Sequence, residues 1–381
     1  MAKLLTKTLD FSDGPYPLGG NDENSFSTQS EPNIEANSLS IKTKSQSEFQ
    51  LVSIDALYPG NIGHNLPSKQ SAICASHTHY APMIDDTKPK LGQMSQKAYD
   101  KWLACLQDES SFYNASFDKC IFLNTNVPLH IYRRLDMPRN LINKVLNPRV
   151  GLFPNGYVEI DNALYVWLFQ KGQDVKFAFV YHAGHPVSRH DSTVISADYI
   201  AAIREGIRDI YGQIPIIFLQ GCGGDIRPNI TKKRRKYLPK LWLNKRFKAP
   251  PSTEEQSAID LTYKSSIQNL TIIDEFSCCE DDFEAEQKHL TIKGCAPISY
   301  PSLHIGTHFT FHFLPFELSH LFHLDIQAQD KRCFLVSCCQ NTIGYLPHPQ
   351  QIEYGGYEVD KSRVFMGLEA RQELVESEFL I

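Results

Sequence analysis

The feature that most constrains this chain is a repeated pairing of a short apolar, β-branched run with a cluster of chemically active residues. Residues 50–54 lead to Asp55. Residues 72–75 lead to Ser76-His77-Thr78-His79, and residues 176–181 lead to His182 and His185. Residues 214–219 open onto Gly221-Cys222-Gly223-Gly224-Asp225, residues 308–313 onto Pro315-Phe316-Glu317, and residues 333–337 onto Asn341 and Tyr345. Runs of this length with flanking turn residues read as buried strands. Between them, 196–211 sets Ile200, Ile203, Ile207 and Ile210 at helical spacing, with Arg204, Glu205 and Arg208 off that face. A second helix is expected from Glu358 or Lys361 to Phe379. The first 50 residues, rich in Ser, Asn, Gly and Pro, read as loop and short strand, with a turn cluster at 14–20. His304, His308 and His312 alternate with phenylalanines and read as one face of a strand. Interleaved strands and helices give an α/β class: mixed β-sheets flanked by helices, in a single large domain over residues 1–381.

Charge and cysteine usage narrow the setting. The 38 basic and 43 acidic residues leave a net charge of −5, which gives no global reason to expect nucleic acid. No apolar run reaches the 18 residues of a membrane-spanning helix, and the first ten residues lack the apolar segment of a secretory leader. Ten cysteines include no Cys-x-x-Cys pair, and several lie inside apolar runs, as expected of reduced thiols in a cytoplasmic protein. Two charge blocks stand apart. Residues 232–248 carry nine Lys/Arg among aromatic and leucine residues, within an expected insertion at 231–250. Residues 274–286 carry seven acids, within an expected loop at 274–287. Two solvated excursions explain both; a sharper reading makes 232–248 a peripheral contact for an anionic membrane or carrier.

The strand-end clusters hold the chemistry, since open α/β sheets gather their sites beyond the carboxyl ends of strands. Candidate ligands are His77, His79, His182, His185, Glu317 and Tyr345. Imidazoles with a carboxylate suit catalytic Zn²⁺, which keeps a position open for water. Glu317-Leu318-Ser319-His320 matches the Glu-x-x-His unit of di-iron bundles, but that architecture needs two such units on long helices.

These motifs resemble the neutral, non-lysosomal ceramidases. Ser76-His77-Thr78-His79-Tyr80-Ala81-Pro82 resembles that family's Thr/Ser-His-Thr-His-Ser-Gly-Pro segment. Tyr181-His182-Ala183-Gly184-His185-Pro186 with Ile195-Ser196-Ala197-Asp198 is similar to its second zinc-histidine segment. The stretch from Gln220 to Asn229 resembles its Gly-Asp-Val-Ser-Pro-Asn loop, Pro315-Phe316-Glu317 its Pro-Gly-Glu, and Tyr345 with Tyr357 its paired tyrosines. The segments follow family order over about residues 10–365.

The resemblance implies a ceramidase-like Zn²⁺ amidohydrolase that cleaves an N-acyl bond with zinc-bound water. It implies His77, His185, Glu317 and Tyr345 as zinc ligands, with His185 preferred over His182. His79 would stand behind the ligands or carry a proton, and Asp225 would orient groups or move protons. Tyr357 and Arg133, preferred over Arg134, would stabilise the oxyanion. The sequence departs from the family where Arg227 replaces the serine of Gly-Asp-x-Ser-Pro-Asn, which sets a permanent cation beside the site. It also has Met83-Ile84 where the family has Gly-Gly, and neither a leader nor a C-terminal β-sandwich domain is expected. The substrate is then a small or lipid-like N-acyl compound. Alternatives are a deacylase or esterase acting on a polar or anionic substrate such as an N-acylated amino sugar, and a non-catalytic binding protein that keeps the fold.

Overall fold

Each of the six apolar runs forms a strand in the computed structural model, which describes residues 1–20, 25–66, 68, 70–136, 150–233, 245–292 and 295–366. Three sheets carry the architecture. The first runs, in spatial order, Gln70–Ala75, Glu48–Ile54, Glu35–Lys42, Ala2–Thr8 and Tyr113–Ala115. The second runs Ile216–Gln220, Asp174–His182, Ala163–Lys171, Lys119–Asn126 and Thr271–Ser277. The third runs Phe283–Leu290, Ile298–Ile305, Phe309–Phe313 and Cys333–Val336. All three contribute to one core, in which Leu39, Leu51 and Cys74 meet Trp167, Phe179 and Leu219 and also Phe311, Phe334 and Val336. This shared core explains the near-continuous apolar runs: both faces of the central strands are covered.

Each sheet is mixed and holds one parallel pair: Glu48–Ile54 with Gln70–Ala75, Asp174–His182 with Ile216–Gln220, and Phe309–Phe313 with Cys333–Val336. Their carboxyl ends are stitched together by main-chain hydrogen bonds. Ala75 N–H donates to Cys338 O at 3.0 Å, Ser337 N–H to Gln220 O at 2.7 Å, and Gly224 N–H to Leu318 O at 2.8 Å. The loops that follow these strands therefore meet at one place.

The helix Tyr199–Tyr211 covers the second sheet together with Thr253–Ile267, and Tyr199 stacks on Tyr263 with ring centroids 4.5 Å apart. Asp198 caps the first of these helices by accepting from Tyr199 N–H at 2.6 Å. Arg204 lies off the apolar stripe as expected, yet it is buried. Its guanidinium donates to Asp55 at 2.5 and 3.0 Å, and Glu35 lies 3.6 Å away. Burial alone would raise the Glu35 carboxyl, but Arg204 and Arg208 outweigh it and hold the group down at about 2.

Several expectations change. The N-terminal 50 residues, expected as loop and short strand, supply two central strands of the first sheet. Their polar residues are matched by tertiary partners: Gln50 Nε2 donates to Ser38 at 3.2 Å, and Ile216 N–H donates to Asn37 at 3.3 Å. His304 and His312 sit on adjacent antiparallel strands, because a turn at Gly306, with φ of +54°, separates them. The acidic segment is not a loop. It spans the strand Thr271–Ser277, a short turn and the strand Phe283–Leu290, with Phe276, Phe283 and Ala285 packed on the core while its seven acids stay at the surface or only partly covered. The basic insertion begins as a two-stranded ribbon, Thr231–Lys233 with Lys245–Phe247; residues 234–244 lie outside the described residues. The C-terminal helix is described over Tyr357–Met366, and its expected continuation to Phe379 lies outside. No helix among the described residues is long and apolar enough to cross a membrane.

Replacing Arg204 with Ala strands a buried carboxylate. The expected loss is roughly 3–5 kcal/mol of unfolding free energy in a urea titration. Lys119→Ala, at the exposed ion pair with Glu275, should cost under about 1 kcal/mol.

Candidate metal site

Where the sheets meet, the imidazoles of His77, His79 and His185 face one another, with a candidate ligand atom on each within 4.8 Å of the others. Each Nδ1 sits against a main-chain carbonyl: His77 on Leu57 at 3.0 Å, His79 on Gly20 at 3.3 Å and His185 on Gly223 at 3.2 Å. A carbonyl only accepts, so each Nδ1 carries a proton, and in the neutral ring each Nε2 then turns a lone pair inward. His79 Nε2 and His185 Nε2 are 3.2 Å apart. The three contacts Gly20–His79–His185–Gly223 need three protons, whereas two neutral imidazoles carry two. A shared cation resolves that conflict. Burial pushes His79 down to about 3 and His185 well below its ordinary range, which disfavours a proton in that role.

His77 takes a positive φ of 63°, a strained conformation for a residue with a side chain. Gly20, with φ of +83°, lets the chain pass against His79; a Cβ there would come 2.5 Å from its Nδ1.

Glu317 completes the cluster. The short parallel strands Phe316–Leu318 and Gly344–Leu346 pair Glu317 directly with Tyr345, so both side chains leave the same face. Glu317 Oε2 lies 3.3 Å from His77 Nε2, yet neither buried atom makes an aligned hydrogen bond. Both are orphaned in the way that a bound ion would relieve. The other carboxylate oxygen accepts from the Tyr58 hydroxyl. Tyr58 escaped the sequence reading. The available signal was its place four residues beyond the strand end at Ile54, as for the other site residues. Burial, reinforced by the Glu317 carboxylate, pushes the Tyr58 and Tyr345 hydroxyls well above their ordinary range.

A cleft of about 420 Å³ opens onto these groups, lined in part by His79, His185, Arg133, Arg227, Tyr345 and Tyr357. Arg133 donates to Tyr345 at 3.3 Å and to Glu358 at 2.8 Å, and its guanidinium lies over the Tyr357 ring at 5.5 Å. Its neighbour Arg134 shares Glu358 but otherwise donates to Gly355 O at 2.7 Å, outside this cleft. Strand alternation therefore puts Arg133 in the cleft and Arg134 behind it.

Two solved structures share this architecture. A neutral ceramidase from Pseudomonas aeruginosa superposes with a TM-score of 0.68 at 11% identity, covering 98% of this chain and 73% of that one. A ceramidase complexed with C2 gives the same score and identity, over 98% and 74%. The chain has the fold of the neutral ceramidases. No protein-family model matches the sequence, and no curated protein matches it.

Two sequence-nominated residues lie apart from the histidine cluster. His182 points to the other side of its strand, where Nδ1 meets Ala163 O at 2.9 Å and Nε2 meets the Tyr263 hydroxyl at 3.0 Å. Asp225, expected to orient groups or move protons, does not line the cleft. Its carboxylate is occupied by His320 N–H at 2.8 Å, His320 Nδ1 at 3.0 Å, Gln351 Nε2 at 2.6 Å and the Ser319 hydroxyl. Burial would raise this carboxyl, but His320 outweighs it and holds it well below the carboxylate range. Asp225 thus ties its loop to the segment after Glu317, and His320, the last residue of the Glu-x-x-His match, faces it.

Asp225→Ala leaves these buried donors without an acceptor. It should lower the unfolding free energy by roughly 3–5 kcal/mol in a guanidinium titration.

Proposed function

We propose that the chain is a metal-dependent hydrolase of an N-acyl amide bond. The observation that carries this reading is the convergence of imidazole lone pairs whose tautomers are set by carbonyls, beside the orphaned Glu317 oxygen. Imidazole, carboxylate and phenol donors suit zinc. His77, His185, Glu317 and Tyr345 would hold it, and His79, whose Nε2 faces that of His185 at 3.2 Å, would either join them as a ligand or stand beside them as a base. Bound there, it would supply an acidified water and polarise the acyl carbonyl. The fold shared with ceramidases, whose name denotes cleavage of an N-acyl sphingoid, supports an amide as the bond cleaved.

The chain's own residues would do the rest. Tyr345 is held by Arg133, which Glu358 anchors from behind, so the guanidinium faces the cleft in a fixed pose. Arg133 and Tyr357 can donate to an oxygen that gains negative charge as the acyl carbon becomes tetrahedral. Their orientation precedes the reaction, so little reorganisation is needed when the charge develops. Tyr58 fixes one Glu317 oxygen and leaves the other turned to His77. Polar partners of this kind commonly set ligand orientation and basicity.

The test is metal analysis with amide hydrolysis. One zinc per chain is expected. His77→Ala and His185→Ala should each lose the metal and all measurable hydrolysis; full zinc occupancy in both variants would overturn the ligand assignment. His79→Ala separates the two ligand sets, since retained zinc makes His79 an adjoining base and lost zinc makes it a ligand. Tyr58→Phe should weaken zinc affinity by about tenfold in chelator competition.

A further inference from the structure

Among the described residues three arginines line the cleft, and they differ in one respect. Arg133 is anchored by Glu358 at 2.8 Å. Arg189 is anchored by Asp260, with Asp198 3.4 Å away. Arg227 has no carboxylate within ion-pair distance among the described residues, and the described residues lining the cleft include no Asp or Glu. Its guanidinium lies over the Phe247 ring at 5.5 Å, a contact that orients the plane but leaves the N–H donors unused. The strand Ile226–Pro228 turns the buried Ile226 and Pro228 away from the cleft and Arg227 into it. A half-buried guanidinium without an anion is costly, because desolvation is not repaid by a partner. The protein met that cost internally at its two sister arginines and not here.

We propose that Arg227 determines specificity by binding an oxyanion, carboxylate or phosphate, carried by the substrate itself. This rests on the acyl-hydrolase reading for the reaction, though not for the binding. An arginine fork suits both anions through paired N–H donors. Arg133 adds to the positive field of the cleft while its own partner stays in place. A neutral N-acyl compound leaves Arg227 unpaired and loses that contact.

The test uses matched probes in which one member of each pair carries an anionic group and the other a neutral one. N-dodecanoylglycine is compared with N-dodecanoylglycinamide, N-dodecanoyl-O-phosphoethanolamine with N-dodecanoylethanolamine, and N-succinylethanolamine with N-butyrylethanolamine. In at least one pair the anionic member should be favoured by about 30-fold or more in kcat/KM. Arg227→Gln should collapse that ratio toward unity, and Arg227→Lys, which keeps the charge but not the fork, should leave an intermediate ratio. The first two pairs separate a carboxylate from a phosphate, and the third reports an anion on the acyl side. No preference in any pair, or a preference that survives Arg227→Gln, overturns the proposal. Calorimetric titration of the same probes reads binding alone. Anion-selective binding lost in Arg227→Gln, without hydrolysis of any probe, would sink the hydrolase reading and keep this one. A thermal melt of each variant checks folding, and if Arg227→Gln is unfolded, the Arg227→Lys ratio decides.

Discussion

Three imidazoles that must each give a proton to a carbonyl impose the constraint on which this site depends. The carbonyls of Leu57, Gly20 and Gly223 belong to loops leaving different parts of the fold, so the tautomers are set by tertiary placement. Once set, they turn the neutral rings' lone pairs toward one another, with the candidate ligand atoms within 4.8 Å. Such a cluster is unfavourable alone and becomes favourable with a divalent ion. The strain at His77 and the orphaned atoms on His77 and Glu317 belong to the same pattern. Functional sites commonly store strain that the surrounding scaffold over-determines.

That scaffold is the set of parallel pairs whose carboxyl ends are bound edge to edge. Parallel pairing makes consecutive loops emerge on one side, and the main-chain bonds at Ala75, Ser337 and Gly224 hold those loops within reach of each other. Asp225 serves this purpose from behind, by joining its loop to Ser319, His320 and Gln351. The Arg204–Asp55 pair does similar work further out, tying the helix that follows the second histidine loop to the first sheet. The geometry of the cleft therefore depends on buried ionic contacts that do not line it.

The cleft's charge runs against that of the whole molecule. The chain is net acidic, yet the described residues lining this opening include arginines and no carboxylate. A concave, partly desolvated surface focuses such a local field. The paired arginines are scaffold as well as charge, because Glu358 and Asp260 fix their geometry. Arg227, held by an aromatic face, is the one whose charge is left for a ligand.

Much of this was written locally. Apolar runs of strand length, each followed by a ligand-bearing cluster, specify strands and place the chemistry at their ends, because β-pairing and burial act on the same short segments. His77, His185, Glu317 and Tyr345 stand at the ends of such runs, whereas Arg133 and Tyr357 were nominated only through the resemblance to the ceramidases; the fold brings His185, Tyr345, Arg133, Tyr357 and Arg227 to one cleft and sets His77 and Glu317 against them. Other features needed the tertiary structure. The polar strand at Glu35–Lys42 lies in a stretch that reads as loop and short strand, and its place in the centre of a sheet appears only when Gln50 and Ile216 bond to its polar side chains. Arg204 reads as solvent-facing until Asp55 arrives from another sheet. Asp225 reads as catalytic until His320 and Gln351 take up its oxygens, and Tyr58 has no role until Glu317 comes to it. The physical reason is common to all four. A sequence records which polar groups exist, but a polar group's role depends on the partner that desolvates and satisfies it, and these partners lie up to 259 residues away in the chain.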